Sequence, residues 1–134
     1  MSALSFDVPL PLAFAPAVAR VTAALQAEGF GILTRADVHT AFREKLGREF
    51  RPYTILGACN PPLAHTALSA RPDAGLLLPC NVIVEETGPG ASLVRIVDPD
   101  AMMRTAGFEH DPVLAGVGAE AAARLRRVAD ALKA

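Results

Sequence analysis

The sequence predicts an α+β fold, a single largely antiparallel sheet of about five strands packed by helices. Three observations lead there. Strand-like and helix-like patterns alternate along the chain, and a hairpin signal, Thr87-Gly88-Pro89-Gly90, joins two apolar runs in its second half. Three Asx-Pro pairs, Asn60-Pro61, Asp98-Pro99 and Asp111-Pro112, each place a favoured N-cap before the residue best tolerated at the first helical position. The hairpin argues against a doubly wound parallel sheet, because parallel neighbours need a long crossover where this turn stands.

Taken in order, Leu4-Ser5-Phe6-Asp7-Val8 alternates as a short strand does. Phe14, Val18, Val21 and Leu25 recur at helical spacing; Pro16 fits in the first turn, and Gly29 stands where a C′ residue ends a helix. Residues 30–34 read as a strand. Asp37 is an N-cap for a short helix carrying Ala41, Phe42 and Leu46, which Gly47 stops. Tyr53-Thr54-Ile55-Leu56 is a strand feeding Gly57-Ala58-Cys59-Asn60. The helix that begins there buries Leu63, Ala67 and Leu68 and ends before Pro72.

Residues 75–85 form a nearly continuous apolar strand interrupted by Pro79-Cys80-Asn81, and a proline there predicts an edge position or a bulge. Residues 92–97 return as its hairpin partner. Asp98-Pro99 opens a helix of one or two turns holding Met102 and Met103. The terminal helix follows Asp111-Pro112, with Val117, Ala121, Leu125, Val128 and Leu132 on one face. Its cations, Arg124, Arg126, Arg127 and Lys133, fall late in the helix, where they complement the macrodipole.

The chain has 134 residues and a formal net charge of −1, from 13 Lys+Arg and 14 Asp+Glu. That length suits one domain, expected to span residues 1–134, with a core large enough to fold without disulfides or a structural metal. The charge balance lacks the basic excess of a nucleic-acid binder, and no aromatic residues interleave with basic ones. Residues 9–19 are apolar, but residues 1–9 contain Asp7 and no Lys or Arg, the wrong sign for a secretory leader. No run reaches the length a membrane span needs. A cytoplasmic protein with reduced thiols is the expectation.

The feature with most chemical content is a pair of Cys-Asn dipeptides, Cys59-Asn60 and Cys80-Asn81, each at a break in a strand. With Asn60 as cap, Cys59 sits at N′, where the helix dipole stabilises a thiolate. Amides of the same helix start are expected to hold an anionic ligand or an oxyanion. The opposing reading makes both cysteines small buried hydrophobes. His65 lies six residues after Cys59, roughly one and two-thirds helical turns on, to the side of the cap. Neither cysteine belongs to a C-x-x-C pair and no H-x-x-x-H occurs, so no metal site is expected. His39 and His110 read as exposed. No G-x-S-x-G or phosphate-binding glycine loop is present. The mixed run Arg43, Glu44, Lys45, Arg48, Glu49, Arg51 is a solvated face, with Lys45 or Arg51 as alternatives for lining an anion pocket.

Two stretches, residues 53–64 and residues 75–82, each carrying one Cys-Asn motif, resemble domain-of-unknown-function family 302, small prokaryotic proteins. The resemblance extends from Phe6 through the terminal helix and includes Gly29-Phe30-Gly31, Lys45-Leu46-Gly47 and Asp98-Pro99. It implies an α+β fold with one sheet packed by helices, and a homodimer; it implies no substrate or cofactor. The resulting expectation is a small-ligand or anion binding module, with Cys59, Asn60, Cys80, Asn81 and the single tyrosine Tyr53 as ligand contacts. The alternatives are a cysteine-dependent enzyme with Cys59 as redox or nucleophilic thiol, and a structural protein with inert cysteines.

Overall fold

The computed structural model describes residues 3–134. Met1 and Ser2, where the expected domain and the segment weighed as a leader begin, lie outside them. The elements run β1 (Ser5–Leu10), α1 (Phe14–Ala27), β2 (Gly31–Asp37), α2 (Val38–Leu46), β3 (Tyr53–Cys59), α3 (Pro61–Ala70), a 3-10 helix (Pro72–Leu77), β4 (Cys80–Gly88), β5 (Ala91–Val97), α4 (Pro99–Thr105), a 3-10 turn (Phe108–His110) and α5 (Pro112–Lys133). The five strands form one sheet, antiparallel throughout, in the order β1, β5, β4, β3, β2. The α+β reading holds.

Alternation along the strands builds the main core. Val8 and Leu10 of β1, Val94 and Ile96 of β5, Val82 and Val84 of β4, and Leu56 and Ala58 of β3 all point to one face. There they meet Val18, Val21 and Leu25 of α1 and the α5 stripe of Leu125, Val128 and Leu132. A second, smaller core joins Ala67 of α3, Ala74, Met103 of α4, and Leu114 and Val117 of α5. Gly118 lets α4 lie close to α5, since a Cβ there would stand 2.9 Å from the Met103 Cγ. All three Asx caps form: Asn60, Asp98 and Asp111 accept from amides of the first turns of α3, α4 and α5.

Several expectations are corrected. The segment before Cys80 is no strand: residues 72–77 are a 3-10 helix, the Leu78–Pro79 peptide is cis, and β4 begins at Cys80. Neither is β4 an edge strand, for it lies between β3 and β5. Pro79 precedes its first residue, so the ladder loses no donor. The proline inside a strand is Pro9, which β1 tolerates as an edge strand. Helix α2 buries nothing; Leu46 is 63% exposed, and Phe42 packs edge-on against Phe50 instead. Asp37 occupies the cap position of α2 without a capping bond, its carboxylate being engaged by Arg35 at 3.0 Å. In α3, Leu68 is exposed. Of the α5 cations only Lys133 lies in the last turn; Arg124 and Arg127 bind Glu28 at the end of α1.

Candidate cavity at the Cys59–Cys80 end of the sheet

Ala58 and Cys80 are register partners, and Cys59 is the last residue of β3. The two cysteines therefore stand at the same end of adjacent strands. A cavity of about 310 Å³ opens beside them, between this end of the sheet and α3, α4 and α5. It lies where the two cores fail to merge: Phe30, Ala58 and Cys80 come from the first, Ala67, Met103 and Val117 from the second. The walls leave room because the facing residues are small, Ala64 and Ala67 on α3 against Gly118 and Ala121 on α5.

Cys80 is buried, and desolvation pushes its thiol up to about 11, the neighbouring Cys59 adding to the shift. Cys59 is half-buried, and both thiols are free. Asn60 is the one wall residue with a polar side chain other than a thiol, and its Oδ1 accepts the Leu63 N–H at 3.1 Å. The first turn of α3 offers little else. Pro61 and Pro62 have no N–H, and the Ala64 amide donates to the Asn60 carbonyl at 2.9 Å. The anion cradle expected at this helix start is thus filled by its own cap.

The wall carries no His, Asp, Glu, Lys or Arg. His65 is exposed on α3 and is not among the lining residues. His110 is exposed, while His39, expected to be exposed, is half-buried and accepts the Tyr53 N–H on Nδ1 at 3.0 Å. No imidazole stands beside Cys59 to take its proton, as a cysteine nucleophile requires. Among the described residues no group of three or more His, Cys, Asp or Glu forms a metal-binding cluster.

Cys59, Asn60 and Cys80 thus share one wall, whereas Asn81 and Tyr53 do not. Asn81 is exposed beside Ser5, Ile83, Arg95 and Val97, in a separate depression. Tyr53 begins β3, about 20 Å from Cys59 at the usual rise per residue, and packs on Phe50. Arg51 is also remote from the cavity. It stacks on Phe50 and pairs with Glu85, which Arg95 holds from the other side at 3.2 Å.

Sequence patterns pointed to none of the α4 and α5 contributions, nor to Leu33. The register of β2 shifts between Ile32 and Thr34, so Leu33 is the bulged residue; it is 68% exposed and lines the cavity mouth. No sequence signal singles out Gly118 and Ala121, because α5 buries small residues elsewhere as well, at Ala122 and Ala129.

No helix among the described residues is long and apolar enough to cross a membrane. No curated protein matches the chain. The crystal structure of an uncharacterized conserved protein DUF302 from Bacillus stearothermophilus is similar, with a TM-score of 0.82 at 28% identity, covering 96% of this chain and 98% of that one. The profile of the domain of unknown function DUF302 matches residues 6–132. With that match across nearly its whole length, a sheet and helix arrangement shared with a solved member, and both Cys-Asn motifs inside the matched span, the chain belongs to the DUF302 family.

Proposed function

We propose that the protein is a small-ligand binding module whose ligand sits in the cavity walled by Cys59, Asn60 and Cys80. The observation that supports it most is the gap between the two cores. A void of this size forfeits packing that larger side chains at Ala64 or Ala121 would supply, and an occupant restores those contacts. A cysteine-dependent enzyme is less well supported, because no acid or base lines the wall beside Cys59. Purely inert cysteines fit Cys80 better than the half-buried Cys59.

The test is a thermal-shift screen of charged and uncharged small molecules against the wild type and Ala64→Leu, whose three added carbons narrow the cavity. The expected result is a compound that raises the wild-type Tm and raises that of the variant distinctly less. A screen without any such compound, or shifts equal in both proteins, overturns the reading.

A homodimer through the uncovered sheet face belongs to the same proposal. Neither core includes Ile55, Ile83 or Leu93, which project from the face opposite α1 and α5. Charges of both signs, Asp7, Glu85, Arg51 and Arg95, border them, as a two-fold contact between identical faces needs.

A further inference from the structure

Resting on the binding role proposed above, we infer that the ligand is an uncharged, apolar molecule of roughly a dozen carbon atoms, about twice the benzene that a cavity half this size accepts. Three features of the cavity converge on that class. The wall is hydrocarbon and sulfur: Phe30, Leu63, Met103 and Val117 line it together with Cys59 and Cys80. Its one amide side chain has its Oδ1 committed to the cap of α3. A buried charge needs a counter-charge or several hydrogen bonds to replace its lost hydration, and this wall carries no ionised side chain.

The mouth repeats the pattern. The β2 bulge leaves Leu33 68% exposed, and Leu68 of α3, also a lining residue, is 39% exposed. Two exposed leucines among the lining residues gain little from water, whereas an apolar guest in contact with them removes hydrocarbon surface from solvent on both partners. A polar group on the guest is accommodated at this rim, near the half-buried Cys59, rather than inside.

The experiment uses a matched pair of fluorescent probes, 1-aminonaphthalene and 1-aminonaphthalene-5-sulfonate, which share the ring system and differ in charge. The neutral probe is expected to bind the wild type with one-to-one stoichiometry, and the sulfonate about tenfold or more weaker. Ala64→Leu is expected to weaken the neutral probe by about tenfold or more, with far-UV circular dichroism confirming the fold. Leu33→Ser, at an exposed position, gives a second variant with a smaller loss should Ala64→Leu misfold. Equal or tighter sulfonate binding that Ala64→Leu abolishes overturns the apolar class and leaves the binding module standing. So does failure of the neutral probe while a charged compound in the thermal-shift screen binds at the cavity. Neutral-probe binding that neither variant alters places the probe elsewhere and overturns the inference. If nothing binds in either experiment, both proposals fall.

Discussion

Pro79 lies so close over Gly57 that a Cβ on the glycine would stand 2.6 Å from the proline Cγ, with the Thr34 hydroxyl nearer still. Gly57 is a mid-strand residue of β3 with no positive φ to satisfy, so its role is clearance. It lets the segment ahead of β4 fold down onto the sheet and form one side of the cavity. Gly57→Ala is expected to destabilise the protein by about 2 kcal/mol through overpacking, measured by urea unfolding. Because relief requires Pro79 to lift, the Cys80 thiol should react faster with a disulfide reagent in the folded variant than in the wild type.

That contact also marks where the sequence stopped being legible. The Asx-Pro pairs gave three helix starts because a cap is a local arrangement, settled within four residues. Strand alternation gave the core face for the same reason. Pro79 misled because its effect depends on which residue starts β4, and that follows from a remote clearance at Gly57. The anion cradle at α3 was refutable from the sequence, since Pro61 and Pro62 fill both positions whose amides it required. The cavity itself was not readable: it arises where α4 and α5, from the far end of the chain, meet the ends of β3 and β4.

Asn60→Ala removes the acceptor of the Leu63 amide in a residue that is only 8% exposed. The expected loss is about 1 kcal/mol of unfolding free energy, whereas Asn60→Asp retains the cap and most of that stability. Under the apolar-ligand inference, neither substitution weakens the neutral probe by as much as Ala64→Leu does. Chemical denaturation and probe titration on the same samples check both statements.

Cys80 makes stability depend on pH at the alkaline end. Its thiol is held protonated in the folded state, pushed up to about 11 from 9.0 by burial, so the native protein binds this proton more tightly than the unfolded chain. The contribution is fully present below pH 9 and is lost as pH rises from 9 through 11. A rise from 9.0 to about 11 corresponds to roughly 2 to 3 kcal/mol. Urea unfolding from pH 8 upward is expected to show this decline in the wild type and to lack most of it in Cys80→Ala, whose starting stability is lower. Parallel curves for the two proteins would refute the assignment.

The one-sided sheet leads to the last prediction. An antiparallel sheet faces water comfortably when the outer residues are polar, yet here Ile83 stands between Ile55 and Arg95 in register, with Leu93 one row on. Burying such a strip against its copy removes two apolar faces from water at once, and the alternating signs at its border, Glu85 held between Arg51 and Arg95, disfavour a sheared or one-sided partner. Ile83→Asp introduces a carboxylate at the centre of the strip, where a two-fold brings it close to its equivalent, while its register neighbour Arg95 is already paired with Glu85. In the monomer the same side chain is only half-buried, so the fold survives. Sedimentation equilibrium is expected to give a dimer for the wild type and a monomer for Ile83→Asp, with matching circular dichroism. A monomeric wild type at concentrations of roughly tens of micromolar, well above the Kd of a standard-size interface, or a dimer unaffected by the substitution, would remove this face as the contact.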